Sequence, residues 1–129
     1  MREILFRGKT PSGEWVVGYY SPANMPIVGC MGHFINVGGY NAVEIDPETV
    51  GQYTGLTDKN GKKIFEGDIV QANFRNNHSK QKFCVIFNDG MFLFDNNYVS
   101  VPKYDIYAME VIGNIHDNPE LLKEGADNG

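Results

Sequence analysis

Glu66-Gly67-Asp68 sets two carboxylates one residue apart, the raw material of acid–base chemistry. Retaining glycoside hydrolysis needs two carboxyl groups facing each other across a cleft about 5 Å apart. Two acids divided by a glycine at the entry to an apolar strand serve the backbone instead: Gly67 allows a sharp bend and Asp68 accepts from nearby N–H groups. Cys30-Met31-Gly32-His33 has half the spacing of a zinc site. A closed site takes four Cys or His ligands, and Cys84, His78 and His116 supply no second close pair, so no metal or cofactor is expected. Cys30 beside His33 also lacks the activating surroundings of a thiol nucleophile, and His116 reads as a surface-turn histidine. Gly51, Gly55 and Gly61 do not follow the GxxxxGKS/T order of a phosphate cradle, and no GxSxG elbow occurs. The expectation is a non-enzymatic protein with no catalytic, cofactor-binding or metal residues.

The elements around these residues read as short strands and tight turns. Ile4–Phe6 and Glu14–Tyr20 flank Thr10-Pro11-Ser12-Gly13 as an N-terminal hairpin, with Trp15, Val17 and Tyr19 on one face at period two. Ser21 to Tyr40 is broken by prolines and glycines and leaves room for one strand, around His33 to Val37. Asn41–Ile45 reads as a strand and Asp46-Pro47-Glu48-Thr49 as a turn or a single helical turn, with Asp46 as cap. Asp58-Lys59-Asn60-Gly61-Lys62 is a turn signal, and Ile69–Phe74 alternates with Val70, Ala72 and Phe74 on one face. Arg75–Gln81 reads as a polar loop. Lys82–Phe87 and Met91–Phe94 flank Asn88-Asp89-Gly90 as a hairpin, its arms apolar enough to be buried on both sides. Tyr107–Ile115 gives a last strand with Gly113 as a bulge or close-approach point, and Asn118-Pro119 opens a short helical turn.

The fold class expected is mainly β: a small, strongly bent sheet or SH3-like barrel with an N-terminal hairpin, a loop-rich insertion and a short C-terminal helical turn. One domain over 1–122 is expected, its hairpin and loop-rich part at 1–49, its barrel-like part at 50–122, and a flexible tail at 123–129. With 129 residues, 42% apolar and 21% charged, the composition is that of a globular chain. The longest apolar run, Phe83–Phe87, is far short of the roughly 20 residues a membrane helix needs. The N-terminal MREILFRGKTPSG lacks an apolar leader core, and two cysteines do not make a disulfide framework, so a reduced cytoplasmic setting is expected.

The net charge of −5 disfavours general nucleic-acid binding. Its distribution is uneven: Lys59 to Lys82 holds six basic residues against Glu66 and Asp68, a local +4 that leaves −9 on the remainder. Arg75, Lys80 and Lys82 flank the strands carrying Phe74, Phe83, Phe87, Phe92, Phe94 and Tyr98, the composition of a single-stranded nucleic-acid surface. A domain this small needs most of those rings inside, which favours core packing. Two binding readings follow: a protein-binding module docking on another protein or on a second copy of itself as a homo-oligomer, and, as the alternative, single-stranded nucleic-acid binding through Arg75, Lys80 and Lys82. An enzyme built from scattered residues of Ser21 to Tyr40 ranks last.

The motifs LFRGK, GEWVVGY, DPETVGQYTGLTDKNGKKIFEGDIV and EVIGNIHDNPELL together resemble the YopX-like family of bacteriophage and prophage proteins. The resemblance implies a phage or prophage accessory protein, whose protein partner would be a host or phage protein, and brings no catalytic or ligand residues with it.

Overall fold

The computed structural model describes residues 4–22, 33–38, 41–75, 78–97 and 99–125. The molecule is mainly β, with two antiparallel sheets and one short C-terminal helix, and the chain divides into two units, Met1–Tyr53 and Thr54–Gly129. Most of the loop-rich Ser21 to Tyr40 stretch, including Cys30, lies outside the described residues, as do Tyr98 and residues 126–129.

The first unit is a ring of four strands: β1 (Phe6–Lys9), β2 (Trp15–Pro22), β3 (His33–Asn36) and the start of β4 (Ala42–Thr57), closed by pairing of β1 with β4. The β1–β2 turn is set by Gly13 at φ +95, with Gly13 N–H donating to Thr10 O and Thr10 N–H to Glu14 O. Inside lie Ile35, Ile45 and Tyr53. Gly18 is the contact point between β2 and β3, since a Cβ there would stand 2.0 Å from Asn36 O. The expected helical turn at Asp46–Thr49 is a widened bulge inside β4. Register jumps from Lys9↔Asp46 to Arg7↔Gly51, while Asp46 Oδ1 accepts from Glu48 N–H and Thr49 Oγ1 donates to Asp46 O. Asp46 therefore caps as expected, but the chain resumes strand pairing instead of coiling.

The second unit is built on a sheet of order β10-β6-β7-β8-β9, from β6 (Asp68–Phe74), β7 (Lys80–Asn88), β8 (Met91–Asp95), β9 (Ser100–Val101) and β10 (Ile106–Asn114). The end of β4 pairs with β5 (Lys63–Phe65), and Thr54 Oγ1 donates to Ile64 O. Alternation works as the sequence requires: Val70, Ala72, Phe83, Val85, Phe94, Ile106 and Ile64 form one buried cluster, with Phe74, Phe92 and Met109 packed against it. Asp89 and Gly90, both at positive φ, close the β7–β8 hairpin. Two-sided burial holds only for Phe83–Val85; Phe87, beyond the end of the core, is 49% exposed. α1 (Glu120–Gly125) lies against β7. Gly113 permits its approach, because a Cβ there would stand 2.6 Å from Asn118 Oδ1 and 2.9 Å from Leu121 Cδ1. Asn118 Oδ1 turns back to accept from Asn114 N–H, closing the turn that leads into the helix. No helix among the described residues is long and apolar enough to cross a membrane.

The β4–β5 turn repeats the first one, with Gly61 at φ +83 and Asp58 in the place of Thr10. Asp58 Oδ1 accepts from the N–H groups of Asn60 and Lys62, and Oδ2 from Val111 N–H on β10. Burial raises the Asp58 pKa, but these three backbone donors and the Lys62 charge outweigh it and hold the carboxyl below its ordinary value. Replacing Asp58 with Ala strands three donors and is expected to cost roughly 3 kcal/mol. Because the folded-state pKa is the lower one, the stabilisation is complete above the unfolded carboxyl value near ~3.9 and is lost as pH falls through the folded value. Urea unfolding of the native chain and Asp58→Ala should therefore differ most at neutral pH, and the difference should narrow only as the pH falls below the ordinary carboxyl range and through the lowered folded-state value.

Candidate functional site

Asp68 and Cys84 are taken up in the fold of the second unit, while Cys30 lies outside the described residues. Asp68 is 1% exposed and accepts from Phe65 N–H at 2.8 Å across the Gly67 bend, which itself has φ +92. Gly67 N–H donates to Val85 O and its carbonyl accepts from Ile115 N–H, so the Glu66-Gly67-Asp68 turn anchors β6, β7 and the end of β10. Cys84 is buried, and burial followed by the charges of Asp95, Asp68 and Glu66 pushes its thiol up to about 11. His33 stacks on Tyr20 and hydrogen-bonds its hydroxyl through Nδ1. Among the described residues no group of three or more His, Cys, Asp or Glu is placed to hold a metal ion.

The cationic residues fare differently. Lys80 and Lys82 are two apart on β7 and so share a face of the sheet, the one opposite the buried cluster. Register aligns Lys80 with Asn73 and Asn73 with Tyr107 in one cross-strand row, and Lys82 with Gln71 and Gln71 with Glu110 in the next. Glu110 is paired with Lys59 at 3.5 Å in an exposed ion pair. The following row, Asp95–Cys84–Ile69, ends the polar zone where α1 packs. Arg75, exposed at the end of β6, donates its N–H to Asp105 O and so lies beside the start of β10. The structure thus brings Lys80 and Lys82 together on one face, with Arg75 at its end. Of the rings in the sequence reading, Phe83 and Phe94 are core, Phe74 and Phe92 pack against it, and Phe87 projects at the hairpin end.

The aromatic residue on the cationic face is Tyr107, which sequence reasoning passed over. It is 38% exposed, and its hydroxyl hydrogen-bonds His78 Nδ1 at 2.7 Å, the two rings meeting edge to face. Its direction depends on a β-bulge. Ala108 and Met109 together oppose Ala72, so that Tyr107 and Glu110, three apart in sequence, emerge on the same face. Met109 takes the inward position and packs on the core, leaving exposed Ala108 as the extra residue at φ +56. That conformation is ordinary for glycine and strained for alanine. No glycine or asparagine stands there to signal it in the sequence.

With this geometry in view, the comparisons with known proteins place the chain. It matches the family described as YopX protein over residues 28–123. The chain belongs to the YopX family. The crystal structure of protein EF1440 from Enterococcus faecalis is similar over 95% of this chain and 99% of that one, at 28% identity and a TM-score of 0.57. No curated protein matches. The YopX match starts after LFRGK and GEWVVGY, the two motifs that form β1 and β2, and takes in the whole of the second unit's cationic face.

Two outcomes test this account of the site in the YopX chain. Ala108→Gly should relieve the bulge and raise stability by roughly 0.5–1 kcal/mol in urea unfolding, the left-handed strain exceeding glycine's entropic cost. In a Cys30→Ser background, Cys84 should resist Ellman's reagent at pH 8, where about a thousandth of it is thiolate, and should react at once when the chain is unfolded.

Proposed function

We propose that this YopX protein is a phage- or prophage-encoded accessory protein, acting in the cytoplasm of the bacterial host as a non-enzymatic protein-binding module. One observation carries the reading. On β2, Trp15, Val17 and Tyr19 stand on the outward face of the ring, with Val17 45% and Tyr19 66% exposed, while Gly18 on the other face is buried. β1 extends this face, since Lys9 pairs with Trp15 and Arg7 with Val17. The Arg7 guanidinium carbon lies 4.8 Å and the Lys9 ammonium 5.8 Å from the Trp15 ring centre. Both cations hold the ring, and Val17 and Tyr19 of the same stripe stay exposed.

Tryptophan, tyrosine and arginine are the side chains that dominate protein–protein binding energy, and an apolar centre bordered by charge is the usual anatomy of an interface. The ring closure that removes free edges from β1 to β4 leaves side chains, rather than backbone, as the means of recognition here. Phage or prophage origin rests on the family resemblance, and the cytoplasmic setting on a buried cysteine that is free.

The test is a Val17→Ser/Tyr19→Ser double variant, both substitutions at exposed positions. Photo-crosslinking from position 19 in prophage-induced host cells should give one discrete protein adduct, absent when the crosslinker is moved to exposed Glu48. The purified partner should bind the double variant at least about tenfold more weakly than the native chain. Equal affinity for the two, with unfolding midpoints unchanged, removes this face from the proposal.

A further inference from the structure

We infer that the outer face of the second unit's sheet is a binding site for single-stranded nucleic acid, with a base stacked on Tyr107 and backbone phosphates on Lys80, Lys82 and Arg75. The inference goes beyond the protein-binding reading, which uses a different surface and different residues.

Four features converge on this face. The first is charge: Lys80 and Lys82 are successive outward residues of one strand, about 7 Å apart along it, an interval comparable to that between phosphates of an extended single strand. The carboxylate in their two rows, Glu110, is already engaged by Lys59. The second is the ring: Tyr107 lies in the same row as Lys80, two strands away, held by His78 at 2.7 Å. The third is a pair of amides on β6 whose donors and acceptors suit base edges, Asn73 between Lys80 and Tyr107 and Gln71 between Lys82 and Glu110. The fourth is the bulge. Regular pairing would put Tyr107 and Glu110 on opposite faces; inserting Ala108 at φ +56 brings both outward at the cost of strain.

A carboxylate-rich peptide would answer only the lysines. A single-stranded polynucleotide answers the lysines, the ring and the amides together, since every base offers a π-face whatever its identity. A duplex fits less well: among the described residues Tyr107 is the ring this face offers for stacking, and a paired base does not present its face. The chain's net charge of −5 sets the strength expected, namely binding that is weak and confined to low salt.

Fluorescence anisotropy with labelled dT12 and U12 at 20–150 mM salt tests the inference. Binding is expected at the low end, with log K falling against log salt at a slope of about −2 for three phosphates. Tyr107→Ala should weaken it about tenfold, and Tyr107→Phe, which loses only the His78 bond, should restore most of the affinity. Lys80→Gln/Lys82→Gln should flatten the slope. The Val17→Ser/Tyr19→Ser variant should bind the oligonucleotides as the native chain does, so failure of the protein-binding reading would not imitate failure here. No binding at 20 mM salt overturns the inference. So does equal binding of poly-glutamate, or affinity untouched by Tyr107→Ala in a variant whose unfolding midpoint matches that of Tyr107→Phe.

Discussion

A single buried carboxylate, that of Asp58, ties the β4–β5 hairpin to β10. It closes its own turn through the Asn60 and Lys62 N–H groups and reaches across to Val111 N–H, while Lys59 N–H donates to Met109 O. Met109 belongs to the bulge and Val111 lies between it and a second register shift before Gly113, so the two cross-links hold the stretch where the strand is irregular. A buried charge with three donors is held in one geometry, because losing any donor leaves ionised oxygen desolvated. Asp58 thereby helps to hold the register of β10 on the far side of the bulge from Tyr107. A hairpin residue that touches no ligand helps to hold the face where one would bind.

The comparison of Asp58 with Thr10 shows why the hairpins were legible in the sequence. Both turns place a left-handed glycine at the fourth position and use an oxygen of the first residue's side chain to accept from the fifth N–H, Thr10 for Glu14 and Asp58 for Lys62. Glycine at that spacing, after a residue with a short polar side chain, announces the turn. Asp89-Gly90 announces the third hairpin in the same way. The Gly67 bend and the Gly113 close approach were legible because each depends on glycine, and β6 because Val70, Ala72 and Phe74 alternate with polar residues at period two.

What stayed hidden depends on contacts distant in sequence. Pro47 and Asp46 suggested an end to the strand, yet β4 resumes because β1 remains beside it as a partner. Asn118 carries a helix-capping signal, but its side-chain oxygen accepts from Asn114 N–H four residues back. The polar loop expected from Arg75 to Gln81 is shorter, because β7 begins at Lys80 in register with Asn73. That shift brings Lys80 into the sheet and makes it a neighbour of Lys82 on one face. Ala108 is the clearest case: alanine has no preference for positive φ, so the strain is imposed by the fixed points on either side of it. Tyr107 went unremarked for the same reason, its exposure being a consequence of that bulge.

Edges decide what kind of partner such a molecule invites. A sheet edge with free N–H and C=O groups recruits other strands, and exposed edges would have favoured self-association by strand addition. Here β1 to β4 close on one another, β5 has three residues, β9 has two, and β10 receives the Asp58 carboxylate and Lys59 N–H on its outer side. Among the described residues the long strands therefore offer little unpaired backbone. Recognition must pass through side chains standing on faces, and the two faces with the most to offer differ in chemistry: Trp15, Val17 and Tyr19 beside two cations, and Tyr107 beside lysines and amides. Side-chain recognition of this sort is specific only if the side chains are held still. Arg7 and Lys9 over Trp15 do that on the first face; His78 and the strained bulge do it on the second. Strain at Ala108 is then intelligible as the cost of keeping Tyr107 and Glu110 on one face, which no regular strand would do.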